Sequence, residues 1–240
     1  MRNIAVILAA GVGARAGAGE PKQFRLLPNG KTLLQTCVEA FAPFVCRICV
    51  VAHPDFAERT RNLLSDSNIL VVNGGKERWE SSWNAIQALT PLADDDTNLL
   101  IHDCARPFVA PRIINDVCLA LQSHPAVTVA VPATDTLYIV APQSYSMPDA
   151  RDNLPLVNQI PPRETFMRAQ TPQAFRFQLI KQAYELALRD PDGVAVTDDC
   201  GIVKHYMPDQ PIVIVKGDET NKKLTFPSDF PCPNHTITIQ

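Results

Sequence analysis

The feature of this sequence that most constrains its fold is a short apolar segment that runs directly into a glycine-containing loop. Residues Ile4–Ala9 are all apolar, which is typical of a strand buried on both faces of a sheet. The residues that follow include Gly11, Gly13 and Gly17 around Arg15. Small residues after a first strand allow backbone N–H groups to approach a polyphosphate closely. The start of the chain therefore predicts an α/β protein with an anion-binding loop after its first strand.

The rest of the chain alternates strand-like and helix-like segments. Such alternation predicts a Rossmann-like, mostly parallel sheet with helices on both of its faces. A helix is also predicted to begin at Thr197, because a threonine followed by Asp198 and Asp199 resembles an N-cap with an acidic first turn. The predicted strands are residues 4–9, 45–51, 69–72, 99–102, 127–131 and 212–215, and the other predicted helices are residues 32–41, 55–64, 78–89, 111–122 and 177–189.

The segment 137–165 departs from this alternation. It begins with the apolar run Leu137–Val140 and then contains prolines at positions 142, 148, 155, 161 and 162. Because proline cannot donate a hydrogen bond to a sheet, this segment is a poor core element and is predicted to form a projecting arm. We therefore expect one domain over residues 1–230, with the arm at about 137–165, and a tail or linker over residues 231–240.

The composition argues against several classes of protein. The formal net charge is -3, whereas binding to a phosphate backbone normally needs a basic face, so no nucleic-acid partner is expected. No apolar run reaches the roughly 18 residues needed to cross a bilayer, so no membrane association is expected. The seven cysteines are odd in number and lie mostly in apolar segments, which favours reduced thiols and a cytoplasmic location.

Three other interpretations of the glycine loop must be compared with a polyphosphate-binding loop: a P-loop, a dinucleotide-binding loop and a turn that binds no ligand. A P-loop would need Lys-Ser or Lys-Thr directly after its last glycine, and neither occurs at that spacing. A dinucleotide loop has the spacing G-x-G-x-x-G, whereas this loop has G-x-G-x-x-x-G with Arg15 inside it, so an NAD(P)-binding oxidoreductase is the weaker alternative. The third is a tight turn without any ligand. Arg15 and Lys22 instead favour bound anionic oxygen atoms, because both are cations near the loop.

A series of short motifs accompanies the loop Leu8-Ala9-Ala10-Gly11-x-Gly13-x-Arg15. In chain order they are Pro21-Lys22-Gln23, Gly74-Gly75-x-x-Arg78-x-x-Ser81, His102-Asp103-x-Ala105-Arg106-Pro107, Asp135-Thr136, Gln170-Thr171-Pro172-Gln173-Ala174-Phe175, Thr197-Asp198-Asp199 and Asn221-x-Lys223-x-Thr225-x-Pro227-x-Asp229. Over residues 1 to about 230 the chain resembles the sugar-phosphate nucleotidyltransferases, and more narrowly the cytidylyltransferases acting on 2-C-methyl-D-erythritol 4-phosphate or ribitol 5-phosphate. The resemblance implies a fold of the nucleotide-diphospho-sugar transferase type. It also implies transfer of CMP from CTP to a polyol phosphate, with release of pyrophosphate.

The resemblance further implies roles for individual residues. Arg15, Lys22 and Lys223 are expected to act in catalysis. Arg15 and Lys22 would contact the phosphates of the substrate CTP, and Lys223 would hold the acceptor phosphate near the α-phosphorus. The implied nucleotide-binding residues are Ala9, Ala10, Gly11, Gly13, Gly75, Arg78, Ser81 and Arg106, and the implied acceptor-binding residues are Thr136, Arg163, Thr197 and Lys223. The family also implies a homodimer in which the arm crosses to a second subunit and Arg163 reaches the partner's site.

Asp103 is a candidate metal ligand because it follows a predicted buried strand, where open α/β sheets display their ligand sites. Mg²⁺ is typically held by one or two carboxylates plus substrate phosphates, so Asp103 would suit Mg²⁺ or another divalent cation. An N-cap or an ion pair with Arg106 is the alternative role for this carboxylate. A phosphate monoester has its second pKa at about 6 and is largely dianionic at pH 7, so the attack needs no catalytic base.

Three positions distinguish possible acceptors. After Asp-Thr, this chain has Leu137-Tyr138, where the methylerythritol-type pattern has other residues. That pattern also has Leu-Trp in the region where this chain has Phe166-Met167-Arg168-Ala169, and Ala-Ser where this chain has Cys200-Gly201. In these places the chain resembles more closely the ribitol 5-phosphate branch, which supplies CDP-ribitol for wall teichoic acid or capsule polymers. The sequence therefore favours ribitol 5-phosphate as the acceptor, with 2-C-methyl-D-erythritol 4-phosphate of isoprenoid biosynthesis as the alternative.

Overall fold

A computed structural model of the chain describes residues 1–11, 20–141, 155–190 and 197–230. The strands in these ranges are β1 (Arg2–Ala9), β2 (Arg47–Ala52), β3 (Ile69–Asn73), β4 (Thr97–Asp103), β5 (Ala126–Pro132), β6 (Ile139–Val140), β7 (Val157–Gln159), β8 (Met167–Arg176) and β9 (Val213–Lys216). The helices are α1 (Leu33–Phe41), α2 (Ala57–Leu63), α3 (Arg78–Leu89), α4 (Pro111–Ala120), α5 (Phe177–Ala187) and α6 (Asp199–Tyr206), together with short 3-10 turns.

Seven of these strands form one sheet in the order β3-β2-β1-β4-β8-β5-β9. The pairs β1–β2, β2–β3, β1–β4 and β5–β9 are parallel, whereas β8 is antiparallel to both of its neighbours, β4 and β5. Within the described residues the sheet is thus mostly parallel, as the alternation of strand-like and helix-like segments predicts.

The two faces of the sheet carry separate apolar layers. Along β1, Ala5 and Ile7 face the layer formed with α1 and α4, whereas Ile4 and Val6 face the layer formed with α3, α5 and α6. This division follows from the period of two residues along a strand. All four side chains are fully buried, which explains why the first strand is apolar without alternation.

The sequence pattern does not predict β8. Its residues 170–175 are buried, and Pro172 lies near the middle of the strand, where a proline argues against a central strand. The chain places this antiparallel strand between β4 and β5, so the sheet is less uniform than the sequence predicts. The other predicted strands and helices are present with shifts at their ends, and α3 has the predicted bounds.

The cap of α6 also differs from the sequence prediction. The helix begins at Asp199, and its N-cap is Asp198 rather than Thr197. The Asp198 Oδ1 accepts a hydrogen bond from the Gly201 N–H at 2.8 Å, and its Oδ2 accepts one from Gln173 Nε2 at 2.6 Å. Asp198 is therefore held by both the helix and β8, whereas Thr197 is exposed.

The predicted arm is described only at its base. Strands β6 and β7 pair antiparallel in a separate two-stranded sheet, and their residues are exposed. Residues 142–154, and the predicted tail 231–240, lie outside the described ranges. Six described cysteines are free thiols, and no described helix is long and apolar enough to cross a membrane.

Helix α1 begins with a reciprocal cap that can be tested. The Gln35 N–H donates to Thr32 Oγ1 at 3.1 Å, and the Thr32 N–H donates to Gln35 Oε1 at 3.0 Å. We expect Thr32→Ala to lower the free energy of unfolding by about 1 kcal/mol, because the Gln35 N–H loses its acceptor. Urea denaturation measures this change. Thr36→Ala is the control, since the Thr36 hydroxyl donates to the Thr32 carbonyl and caps no backbone N–H group. An equal loss in both variants would contradict the capping role.

Candidate active site

The candidate site lies where the order of the strands reverses, at the carboxyl ends of β1 and β4. Leu8 on β1 is paired with Asp103 on β4, and the Cys104 N–H donates to the Leu8 carbonyl at 3.1 Å. From β1 the chain proceeds to β2 on one side, whereas β4 lies on the other. Ligands of open α/β sheets bind in the crevice at such a switch point. A cleft of about 340 Å³ is present there, within the size range of small-molecule sites.

The cleft brings together most of the predicted nucleotide-side residues. Four sequence-distant segments contribute its charged residues, which are Lys22, Lys76, Glu77, Arg78, Asp103 and Lys223. The predicted residues that line it are Ala9, Ala10, Gly11, Lys22, Gly75, Arg78, Ser81, Asp103 and Lys223. Gly13 and Arg15 lie outside the described residues, so their predicted roles stay predictions.

The Asp103 carboxylate is the electrostatic centre of the cleft. Its Oδ1 accepts a hydrogen bond from Arg78 Nε at 3.2 Å, and its Oδ2 accepts one from Lys223 Nζ at 2.7 Å. Burial by itself would raise the pKa of this carboxyl, but the charges of Arg78 and Lys223 outweigh burial and hold the pKa well below its usual range. Asp103 is therefore ionised at neutral pH.

A neutral histidine supports the backbone beside this carboxylate. Thr171 Oγ1 accepts a hydrogen bond from the Asp103 N–H at 3.2 Å and lies 2.9 Å from His102 Nδ1. Burial lowers the pKa of His102 to about 4, so the ring is neutral at pH 7. With Nε2 protonated, the ring donates to the Arg106 carbonyl at 3.0 Å and accepts from Thr171 at Nδ1. Both ring nitrogens of His102 thus take part in structural hydrogen bonds.

Arg78 connects Asp103 to a second buried carboxylate. Its Nη1 lies 2.8 Å from Asp199 Oδ2, and Asp199 is fully buried. The other oxygen, Asp199 Oδ1, accepts a hydrogen bond from the Tyr184 hydroxyl at 2.7 Å. Burial opposes the charged form of Arg78, yet Asp199 and Asp103 together raise its pKa above the usual value. The guanidinium is therefore fixed between two carboxylates.

The turn at Gly74 and Gly75 closes another side of the cleft. A Cβ atom on Gly74 would collide with the Ala10 Cβ and would lie 2.9 Å from Ser81 Oγ, so a side chain there would push the turn away from β1. Ser81 Oγ accepts a hydrogen bond from the Gly75 N–H at 3.1 Å. Glu80 Oε2 accepts hydrogen bonds from the Lys76 N–H at 2.5 Å and from the Glu77 N–H at 3.2 Å.

The loop that carries Lys223 is anchored by neighbouring backbone and amide groups. Asn221 is fully buried, and its Nδ2 donates to the Thr171 carbonyl at 2.8 Å and to Gln170 Oε1 at 3.2 Å. Arg106 Nη1 donates to the Asn221 carbonyl at 2.7 Å, and its Nη2 donates to the Ala169 carbonyl at 3.2 Å. Arg106, which the sequence predicts to bind the nucleotide, is not among the cleft-lining residues and is directed at this loop.

The segment that carries Lys22 is held against α2. Lys22 belongs to a 3-10 turn, Lys22–Phe24, in which Phe24 is buried. The Arg59 guanidinium lies over the Phe24 ring, 4.0 Å from its centroid, and Arg59 also forms an ion pair with Glu20. Aromatic and ionic contacts therefore fix the backbone on both sides of Lys22.

The predicted acceptor-side residues lie outside the cleft, except for Lys223. Thr136, Arg163 and Thr197 are exposed and do not line it. Arg163 Nη1 donates to the Thr134 carbonyl at 3.1 Å, beside Thr136 at the base of the arm. The part of the chain that the structure describes contains no group of three or more His, Cys, Asp or Glu residues able to hold a metal ion.

Sequence reasoning does not assign a site role to Asp199, Tyr184 or Asn221. Asp199 is visible only as an acidic residue in a first helical turn, and Asn221 only as part of a motif. Tyr184 has no signal in the sequence that separates it from an ordinary core residue of α5. In the core, Trp83 of α3 stacks on Tyr184 with ring centroids 5.9 Å apart.

The anchoring role of Asn221 gives a stability prediction. We expect Asn221→Ala to lower the free energy of unfolding by about 2 kcal/mol, because the Thr171 carbonyl and Gln170 Oε1 lose a buried donor. Lys222→Ala is the control in the same loop, since Lys222 is largely exposed and its ion pair contributes below about 0.5 kcal/mol. Chemical denaturation of both variants makes the comparison. Similar losses would mean that Asn221 does not anchor the loop.

Comparisons with known proteins identify the family of this chain. The profile of the family described as 2-C-methyl-D-erythritol 4-phosphate cytidylyltransferase, IspD, matches residues 3–238. The 2-C-methyl-D-erythritol 4-phosphate cytidylyltransferase of Thermobifida fusca is 39% identical over 235 residues, covering 95% of this chain and 90% of the relative. The bifunctional ribulose 5-phosphate reductase/CDP-ribitol pyrophosphorylase of Haemophilus influenzae is 37% identical over 235 residues, covering 95% of this chain and 47% of the relative.

Solved structures show the same architecture. The 4-diphosphocytidyl-2C-methyl-D-erythritol synthase of Anaerococcus prevotii matches with a TM-score of 0.78 at 26% identity, covering 95% of this chain and 92% of the other. This likeness confirms the predicted fold class, and the family match replaces the NAD(P)-binding alternative. The chain therefore belongs to the IspD family of CTP-dependent cytidylyltransferases and is a nucleotidyltransferase.

Proposed function

We propose that this enzyme transfers CMP from CTP to D-ribitol 5-phosphate, forming CDP-ribitol and pyrophosphate. The observation that carries the transfer chemistry is the convergence of Lys22, Asp103 and Lys223 on one cleft. Transfer between two phosphates depends mainly on positioning and on the stabilisation of negative charge. The cleft offers fixed cations beside an ionised carboxylate, which suits this demand.

Local sequence differences support a pentitol phosphate as the acceptor. The two named relatives above have nearly equal identity to this chain, so overall similarity does not separate their acceptors. The separating positions are Leu137-Tyr138, Arg168 and Cys200-Gly201. Arg168 forms an exposed ion pair with Glu219, four residues before Lys223. An additional cation, paired with Glu219, therefore lies close to the loop that carries the acceptor-side lysine.

A divalent cation fits the cleft as a partner of the substrate. Asp103 is ionised and lines the cleft, and the described ranges contain no group of three or more His, Cys, Asp or Glu residues that would hold a metal ion without substrate phosphates. Mg²⁺ is commonly held by one or two carboxylates plus substrate phosphates, so Asp103 would share the ion with the CTP phosphates. When bound, the ion would neutralise part of the triphosphate charge. Arg15 and Lys22 would bind the phosphate oxygens that become the leaving pyrophosphate.

The nucleoside would occupy the side of the cleft closed by Gly74 and Gly75. Ala9, Ala10 and Ser81 also face this side, and their small side chains leave room for a flat base. Ser81 and the backbone of the turn supply hydrogen-bonding groups at its edge. Trp79 and Trp83 are packed against the core and are not required as stacking partners.

Lys223 would orient the acceptor phosphate. In the structure its ammonium contacts Asp103, and its side chain is 40% exposed, so a phosphate in the cleft can reach it. An oxygen of the dianionic acceptor phosphate attacks the α-phosphorus of CTP, and the bond from that phosphorus to the bridging oxygen of the β-phosphate breaks. Pyrophosphate leaves with that oxygen. Thr136 and Thr197 are proposed to donate to the acceptor once it is bound.

A panel of acceptors tests the proposed reaction. Wild-type enzyme with CTP and Mg²⁺ is given ribitol 5-phosphate, 2-C-methyl-D-erythritol 4-phosphate or glycerol 3-phosphate, and pyrophosphate release is measured. We expect kcat/KM for ribitol 5-phosphate to exceed the others by roughly tenfold or more, as a site built for a given set of hydroxyls would give. Omitting the metal should abolish turnover.

Three results of these assays would change the assignment. Rapid turnover of 2-C-methyl-D-erythritol 4-phosphate without turnover of ribitol 5-phosphate would replace the acceptor. Absence of pyrophosphate release with all three would contradict transfer to a polyol phosphate. Turnover that persists after metal chelation would contradict the role of Asp103 as a metal ligand.

The base of the arm supports a homodimer. Tyr138, Val140 and Val157 are each more than half exposed, although they are apolar or aromatic; Val140 and Val157 lie on the paired strands β6 and β7, and Tyr138 precedes β6. Exposed apolar surface of this kind is commonly covered by a partner. Following the family resemblance, we propose that a second copy of the chain covers it and that Arg163 contributes to the partner's site.

Mixing two inactive variants tests the shared site. If Arg163 acts in the partner's site, a heterodimer of Arg163→Ala and Lys223→Ala subunits contains one site with both changes and one with neither. After co-refolding at equal amounts, we expect about a quarter of wild-type activity to return, because half of the dimers of a symmetric pair are mixed. No return of activity, or a monomer by light scattering, would exclude a site shared between subunits.

A further inference from the structure

A buried chain of two hydrogen bonds and one ion pair leads from the core of the protein to the carboxylate in the cleft. Its members are the Tyr184 hydroxyl on α5, the Asp199 carboxylate on α6, the Arg78 guanidinium on α3 and the Asp103 carboxylate on β4. The successive distances are 2.7, 2.8 and 3.2 Å. Only the last two members line the cleft, and Asp199 is connected to it by its ion pair with Arg78.

The stability of the fold does not by itself explain why a carboxylate, Asp199, is buried at this position. Its carboxylate is fully buried and faces one cation, Arg78. A buried ion pair is often no more stabilising than apolar residues of similar volume, so its presence in a core needs a reason other than stability. The Asp199 N–H is satisfied independently by Gln173 Oε1 at 3.0 Å. The side chain is therefore not needed to satisfy its own backbone.

The geometry around Arg78 supplies a reason. An arginine beside a single carboxylate tends to form two parallel hydrogen bonds with it. Here Asp199 holds Nη1, and only Nε of Arg78 reaches Asp103. Arg78 Nη2 is buried and has no hydrogen-bond partner among the described residues. The orientation of the guanidinium, and hence its single contact with Asp103, thus depends on Asp199.

We propose that Asp199, held by the Tyr184 hydroxyl, is a positioning residue for nucleotidyl transfer that fixes the Arg78 guanidinium against Asp103. Tyr184 restrains Asp199, Asp199 restrains Arg78, and Arg78 sets the direction of the Asp103 carboxylate towards the cleft. The inference rests on the cytidylyl transfer of the family and does not depend on which polyol phosphate is the acceptor.

A double-mutant cycle tests the chain of contacts. Tyr184→Phe removes one hydroxyl and retains the ring that stacks on Trp83. We expect it to lower kcat/KM for CTP roughly tenfold, which is the scale of a lost hydrogen bond to a charged group. In the Arg78→Gln background the same change should have less than about a twofold effect, because residues that act through one another are not additive. Pyrophosphate release is measured with the acceptor that the wild type uses best.

Tyr206→Phe is the matched control. Tyr206 also donates to a carboxylate, Asp190 Oδ2, at 2.9 Å, and it lies on the same helix as Asp199 but has no contact with Arg78. This control should retain kcat/KM within about twofold, as expected for a site outside the network. Thermal unfolding of each variant is recorded, and the kinetics are measured below the transition.

Asp199→Asn extends the cycle if the tyrosine effect is small. The substitution keeps the shape of the side chain and removes its charge, so we expect kcat/KM to fall further than in Tyr184→Phe. In the Arg78→Gln background, Asp199→Asn should again leave kcat/KM nearly unchanged. Additive effects of either change with Arg78→Gln would overturn the positioning role. So would equal losses in Tyr184→Phe and Tyr206→Phe. Absence of turnover in the wild type would instead contradict the proposed function itself.

Discussion

The buried charge of Asp103 is the constraint on which the site depends. A carboxylate at this depth is tolerated only because two cations neutralise it, and removal of one partner from a buried pair typically costs about 3–5 kcal/mol. Arg78 comes from α3 and Lys223 from the loop after β9, so the carboxylate on β4 requires both segments to meet it. The same three groups line the cleft. Folding and ligand binding therefore use one set of charges.

Uncharged groups around Asp103, Arg78 and Lys223 hold these charged side chains in position. His102 is neutral, because burial lowers its pKa to about 4, and it supports Asp103 through Thr171. Asn221 holds the Lys223 loop through amide and carbonyl contacts. Gly74 permits α3 to approach β1 because any side chain there would meet Ala10. Neutral hydrogen bonds and close backbone contacts thus fix the charged side chains.

The comparison between sequence and structure is clearest for α3 and β8. Helix α3 has the bounds that its pattern predicts, since the turn at Gly74-Gly75 and the apolar spacing are local signals. Strand β8 has no such signal, because its buried residues lack alternation and Pro172 interrupts the pattern. Lys22, Asp103 and Lys223 could be named from motifs. Tyr184 and Asp199 could not, because their link to Asp103 crosses three elements that are distant in the chain.

The sequence by itself determined the alternation of strands and helices, the small residues after β1 and the charged residues that the family motifs mark. These are properties of neighbouring residues, and the backbone geometry of a strand or turn translates them directly into local structure. Only the tertiary structure decided that β8 runs antiparallel beside β4, that Asp198 rather than Thr197 caps α6, and that Arg106 faces the Lys223 loop. Each of these depends on contacts between segments far apart in the chain, and those contacts exist only after the sheet has set the order and direction of its strands.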